Sequence, residues 1–157
     1  MATVLFTDIV GSTARASEVG DRRWKDLLTS YAGLMQDEIN RHRGRLVETA
    51  GDGALVTFDS AGRAIRCAQA IITASRRIGI PVRAGIHTGE VEIADGGVTG
   101  IAVHIGARVA AQAGAGEVLV TGTVKDLVTG LGVAFDDRGT EVLKGVPGEW
   151  RLFAVTW

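Results

Sequence analysis

The chain has 157 residues, 46% hydrophobic and 22% charged, with a formal net charge of −1; that suffices for one domain with a real core. The near-neutral balance supplies no global basic field for nucleic acid or an anionic membrane surface, and no apolar run approaches the ~18 residues of a membrane span. A single cysteine, Cys67, excludes an internal disulfide and fits a reducing, cytoplasmic setting.

The first apolar run, Val4-Leu5-Phe6, begins almost at Met1 with no signal-peptide pattern, which suggests a single domain over 1–157 taken from a longer chain. The run reads as a buried strand ending on Asp8, broken at Gly11 into Ser12 and Thr13, residues that favour helix starts. Trp24, Leu27, Leu28, Tyr31, Leu34, Met35 and Ile39 recur at helical spacing, and Gly44 ends that helix. Arg45 to Phe58 reads as two strands joined by Gly51-Asp52-Gly53, strong hairpin chemistry. Asp59-Ser60 caps a second helix with Ile65, Ala68, Ile71 and Ile72 inward and Cys67 buried among them; Gly79 and Pro81 stop it.

Val82 to Ile93 reads as one long strand region bent at Gly89, followed by an Asp95-Gly96-Gly97 loop. Ile101 to Ala113 is a helix with Val103, Ala107 and Ala110 inward, and Glu117 to Val120 a strand. Thr123-Val124-Lys125-Asp126 fits a capping box for a short helix. Strands at 133–135, 141–143 and 150–155 complete the chain. The order predicts an α+β fold: a ferredoxin-like βαββαβ core with additional C-terminal strands and a short helix, its helices packed on a mainly antiparallel sheet. The basic clusters Arg41-His42-Arg43 and Arg76-Arg77 each close a helix, where cations suit the dipole.

In such a βαββ unit the first strand neighbours the hairpin, so Asp8 and Asp52 can approach each other. Two facing carboxylates repel unless a cation sits between them, and oxygen-only ligands suit magnesium or manganese. Beside a helix N-terminus, which accepts phosphate, the pair becomes a candidate metal–triphosphate site. Two independent turn aspartates are the other reading of the same residues.

Phe6-Thr7-Asp8-Ile9-Val10-Gly11-Ser12-Thr13, Gly51-Asp52-Gly53, Gly85-Ile86-His87-Thr88-Gly89 and the run from Gly100 to Arg108 together resemble the class III adenylyl/guanylyl cyclase catalytic domain, bacterial type. The likeness covers essentially the whole chain and includes the interval between the two aspartates. It implies conversion of ATP to 3′,5′-cyclic AMP and pyrophosphate by a homodimer with two composite active sites. Asp8 and Asp52 match the family's metal ligands, with the Ile9 carbonyl joining them, and two Mg²⁺ or Mn²⁺ ions are implied. Gly11, Ser12 and Thr13 would offer backbone N–H groups to phosphate. Arg108 matches the transition-state arginine from the partner chain and Lys144 the triphosphate lysine.

The resemblance also fixes the departures. Glu48 stands where the family carries its purine-reading lysine, and Gly97 where it has an acidic or small polar residue; Asp95 is close by. His104 replaces the ribose-orienting asparagine and still offers one hydrogen bond. Metal and phosphate handling are thus expected intact, with base recognition loosened: weak, manganese-favoured adenylyl cyclase activity with some guanylyl side activity. Three other readings stand beside this one. They are a catalytically impaired, dimerising regulatory module, a diguanylate cyclase, whose Gly-Gly-Glu/Asp-Glu-Phe hairpin is absent here, and a generic ferredoxin-like binding domain.

Overall fold

A computed structural model describes the whole chain, Met1 to Trp157. The opening apolar run forms β1 (Ala2–Ile9), and the helical region behind it is two helices, α1 (Ser12–Val19) and α2 (Asp21–Arg41). They part at Gly20, whose φ of 85° is outside the helical region. The hairpin β2 (Arg45–Ala50) and β3 (Gly53–Phe58) then leads into α3 (Ala61–Arg77). Ser60 caps α3 by accepting the Arg63 N–H at 3.2 Å, as its sequence context predicts.

The expected long strand from Val82 to Ile93 is instead two elements, β4 (Val82–Gly89) and β5 (Glu92–Ala94). β5 leaves the main sheet to pair with β6 (Gly97–Thr99). The intervening Asp95 and Gly96 both have positive φ, the pairing that two-residue hairpins of type I′ require; Gly97 therefore starts a strand rather than belonging to the loop. Next come α4 (Ile101–Gln112) and β7 (Val118–Thr121). α5 (Gly122–Leu127) starts ahead of the predicted capping box: its N-cap is Thr121, with no side-chain cap bond, because the Thr121 hydroxyl is engaged with His87 at 2.8 Å. The two strands expected around 133–135 and 141–143 are one, β8 (Ala134–Val142), kept continuous by an irregularity between Asp137 and Thr140. β9 (Glu149–Thr156) closes the chain.

The main sheet has the order β2-β3-β1-β4-β7-β9-β8, antiparallel except at β4–β7. Its first four strands with α2 and α3 are the ferredoxin-like core expected from sequence. Side chains alternate across β1. Leu5 and Ile9 join Tyr31, Met35, Ile39, Cys67 and Ile71 in the larger buried cluster, while Val4 and Phe6 face Gly106 of α4 on the other side. The buried face of α4 carries Ala102, Ile105, Gly106, Val109 and Ala110; Val103 and Ala107, expected inward, are only half-buried. The reason is close approach. A side chain at Gly85 would collide with the Ala110 backbone, so small residues set which face of α4 lies on the sheet.

Candidate active site

Asp8 stands near the C-terminal end of β1, a central strand flanked by β3 and β4. Asp52 stands in the hairpin between Ala50 and Gly53, which pair directly. Gly51 takes φ of 61° as the first central residue, and Asp52 does not, the pattern of a II′ turn. This tight turn packs against the end of β1, where a side-chain carbon at Gly53 would lie 3.9 Å from Asp8 Oδ1, and it brings the Asp52 carboxyl close enough to Asp8 and Ser12 to feel both. Burial, and then the neighbouring Asp8, raise the Asp52 pKa above the ordinary carboxylate value, while Ser12 works the other way. Gly11 adopts the left-handed region at φ 64° and opens α1 without any side-chain cap, so the first N–H groups of that helix, at Ser12 and Thr13, are left for another acceptor.

Arg83 belongs to the same corner, and the sequence reading missed it. It pairs with Asp8 in strand register, donates to Asp8 Oδ2 at 3.1 Å, and donates to the Ala111 and Ala113 carbonyls at 3.3 and 3.5 Å. It thereby ties Asp8 to the end of α4. The signal was available: once Gly85-Ile86-His87-Thr88-Gly89 is taken as a strand antiparallel to β1, the residue opposite Asp8 is a cation. A cleft of about 250 Å³ opens here, with Asp8, Glu48, Arg83, Phe6, Leu55 and Ala107 in its lining.

The remaining predicted residues divide into two groups. Ile9 ends β1 with its side chain in the core. Glu48 shares the cleft with Asp8, whereas Gly97 lies in the β5–β6 hairpin, whose Gly96 carbonyl accepts Arg45 Nη2 at 3.4 Å. On the α4 side, His104 Nε2 lies 3.1 Å from the Lys144 carbonyl. A carbonyl only accepts, so Nε2 carries the proton. Within the chain, His104 Nε2 thus bonds to the segment that carries Lys144. Arg108, one turn further along α4, is half-buried, and no contact within the chain joins Arg108 or Lys144 to the aspartates.

The donor set fits a hard divalent cation. Two carboxylates converge with no third His, Cys, Asp or Glu beside them, and magnesium-type ions are commonly held by one or two carboxylates plus substrate phosphates. The fold so far defines a class: an α+β domain with a βαββαβ core, carrying an acidic pair beside the start of a helix.

The comparisons narrow the class. Residues 1–156 match the family model described as the adenylate and guanylate cyclase catalytic domain, and the chain belongs to that family. A Rhizobium meliloti (strain 1021) protein whose given name proposes an adenylate cyclase is 30% identical over all of this chain. The chain spans 28% of that relative's length, and 33% of a Mycobacterium tuberculosis relative that is 29% identical over 78% of this chain. Among solved structures, the adenylyl cyclase CyaB from P. aeruginosa superposes with a TM-score of 0.87 at 23% identity, over 99% of this chain and 93% of its own. An adenylate/guanylate cyclase/hydrolase from Silicibacter pomeroyi superposes with a TM-score of 0.83 at 28% identity, over 98% and 95%. The fold is that of a class III nucleotide cyclase catalytic domain, and no helix is long and apolar enough to cross a membrane.

Proposed function

We propose that this domain converts ATP to 3′,5′-cyclic AMP and pyrophosphate at sites shared by two copies of the chain. In that reaction the ribose 3′-oxygen bonds to the α-phosphorus, the α–β anhydride breaks, pyrophosphate leaves and the 3′-hydroxyl proton is lost. The observation that carries the reading is the convergence of Asp8 and Asp52 beside the uncapped start of α1. Two Mg²⁺ or Mn²⁺ ions, held by Asp8, Asp52 and the Ile9 carbonyl, would acidify the 3′-hydroxyl and neutralise the phosphates. Arg83 holds the Asp8 carboxylate in place. The N–H groups at Gly11, Ser12 and Thr13 bind phosphate oxygens. From the second copy, Arg108 pairs with the charge that develops at the α-phosphate, and Lys144, kept against α4 through His104, binds the triphosphate.

A second reading concerns the base. Glu48 brings a carboxylate to the cleft, and an ionised carboxylate only accepts hydrogen bonds. Guanine offers N1–H and N2–H₂ on one edge, whereas adenine N1 is itself an acceptor, so Glu48 favours GTP over ATP at that edge. Gly97 adds no side chain to counter it. Purified domain with Mn²⁺ is therefore expected to form cyclic nucleotide slowly from both substrates, and Asp52→Asn is expected to abolish both activities. Nucleotide binding without any product at high enzyme concentration overturns the enzyme reading in favour of a regulatory module.

A further inference from the structure

Away from the aspartate corner, a second cleft of about 290 Å³ opens where α1, the end of α3 and the turn before β7 meet. Two arginines line it, Arg15 from α1 and Arg76 from α3, and no acidic residue does. Both guanidinium groups lie over glycines. A side-chain carbon at Gly79 would stand 3.2 Å from Arg15 Nη2, and one at Gly116 would stand 3.0 Å from Arg76 Nη2. Those glycines take φ of 79° and 78°, a conformation other residues rarely adopt, so the two turns leave the arginines their room.

The fold does not use up these cations. Arg15 donates Nη2 to the Gly79 carbonyl and holds Nη1 3.6 Å from the exposed Glu18, but its Nε is buried with no partner. Arg76 forms no ion pair. A cation in the last turn of α3 suits the helix dipole, yet the adjacent Arg77 meets that need and lies outside the cleft. Two guanidinium groups on one cleft repel each other and jointly attract an anion. A single fork satisfies a planar carboxylate, whereas forks from two helices suit a group with acceptor oxygens on several sides, as in a phosphate. The cleft wall is also tied to the β1–α1 loop, because the Pro81 carbonyl accepts the Val10 N–H at 2.8 Å. An occupant therefore braces α1 against α3.

We propose that this cleft is a binding site for a phosphate-type oxyanion, gripped by Arg15 and Arg76. It is separate from the aspartate corner and depends neither on a divalent cation nor on the cyclase reading.

The test titrates inorganic phosphate into the chain in chelator, at ionic strength matched with chloride, and follows backbone amide NMR shifts and thermal unfolding. Chelator removes the cations through which two carboxylates would hold phosphate. Saturable shifts at Gly79 and Gly116 are expected, with a rise in melting point that chloride does not give. Arg76→Ala is expected to weaken binding on the order of tenfold. Arg77→Ala, the same change of charge outside the cleft, should leave binding as in the parent. Arg76 is exposed, so its variant should keep the parent's melting point in chloride. Phosphoserine that displaces the inorganic ion from the same amides supports the proposal with a phosphomonoester as ligand; failure to displace it supports the free ion. Shifts confined to the start of α1, equal weakening by both substitutions, or no saturable binding would each overturn the proposal and leave the reading of Asp8 and Asp52 intact.

Discussion

The aspartate corner and the nucleoside-reading edge are built on different kinds of backbone. Asp8 ends a strand bonded on both sides, most of whose residues are buried, and Asp52 is fixed by a two-residue turn. Glu48 lies on β2, the sheet's outermost strand, immediately after a register break at Leu46, in a segment with no buried residue. Gly97 sits in a two-stranded hairpin outside the main sheet. Edge strands and bulges re-aim side chains at little cost to the fold. On the proposed reading, chemistry common to all nucleotides would rest on the rigid frame, and discrimination among bases where the backbone tolerates change.

The largest effects belong to the corner and to its counterpart on α4. Asp8→Ala and Arg108→Ala are each expected to lower cyclase activity by at least about a hundredfold. If each site takes aspartates from one copy and Arg108 from the other, an equal mixture of the two inactive variants regains activity, because one of the two sites in a mixed dimer is whole. A mixture as inactive as its parts breaks the composite-site reading. The edge is expected to answer differently. Glu48→Lys exchanges an acceptor for a donor and should shift the ATP-to-GTP ratio of kcat/KM toward ATP by about tenfold or more. Its stability should stay within about 0.5 kcal/mol of the parent, as for other exposed positions. A ratio that does not move removes Glu48 from base recognition.

The same division governs what the sequence made legible. Period-2 and period-3.6 patterns located the core strands and α2 and α3, because those elements bury one face each. The Asp8–Asp52 meeting followed from hairpin chemistry and strand adjacency alone. What escaped depended on pairing across the sheet. Arg83 matters because of the residue opposite it. The buried face of α4 is set by backbone contact at Gly85 rather than by the largest side chains. The β5–β6 hairpin was hidden because Val82 to Ile93 reads as one strand region; the chain in fact leaves the main sheet after Gly89 and then turns back on itself at Asp95 and Gly96, both of positive φ. The contact of His104 with the Lys144 carbonyl joins residues 40 apart in sequence, which local patterning does not reveal.

The last expected effect bears on stability rather than activity and probes the frame itself through pH. His87 lies on β4, 4% exposed, its Nδ1 sharing a hydrogen bond of 2.8 Å with Thr121 and its ring edge-on to Trp150 at 5.6 Å. Burial alone lowers its pKa from 6.5 to about 4. Between those values the unfolded chain binds a proton that the folded chain refuses, so stability falls as pH drops through 6.5 and the loss levels off near 4. The full difference is on the order of 3 kcal/mol. Urea unfolding at about pH 7 and about pH 4.5 should show it, and His87→Gln, which keeps a hydrogen-bonding group without titrating, should remove that part of the slope. An unchanged slope in the variant would assign the acid sensitivity to surface carboxylates. A removed slope places it in the central strands of the sheet, so that mild acid loosens the frame on which the aspartate corner is built.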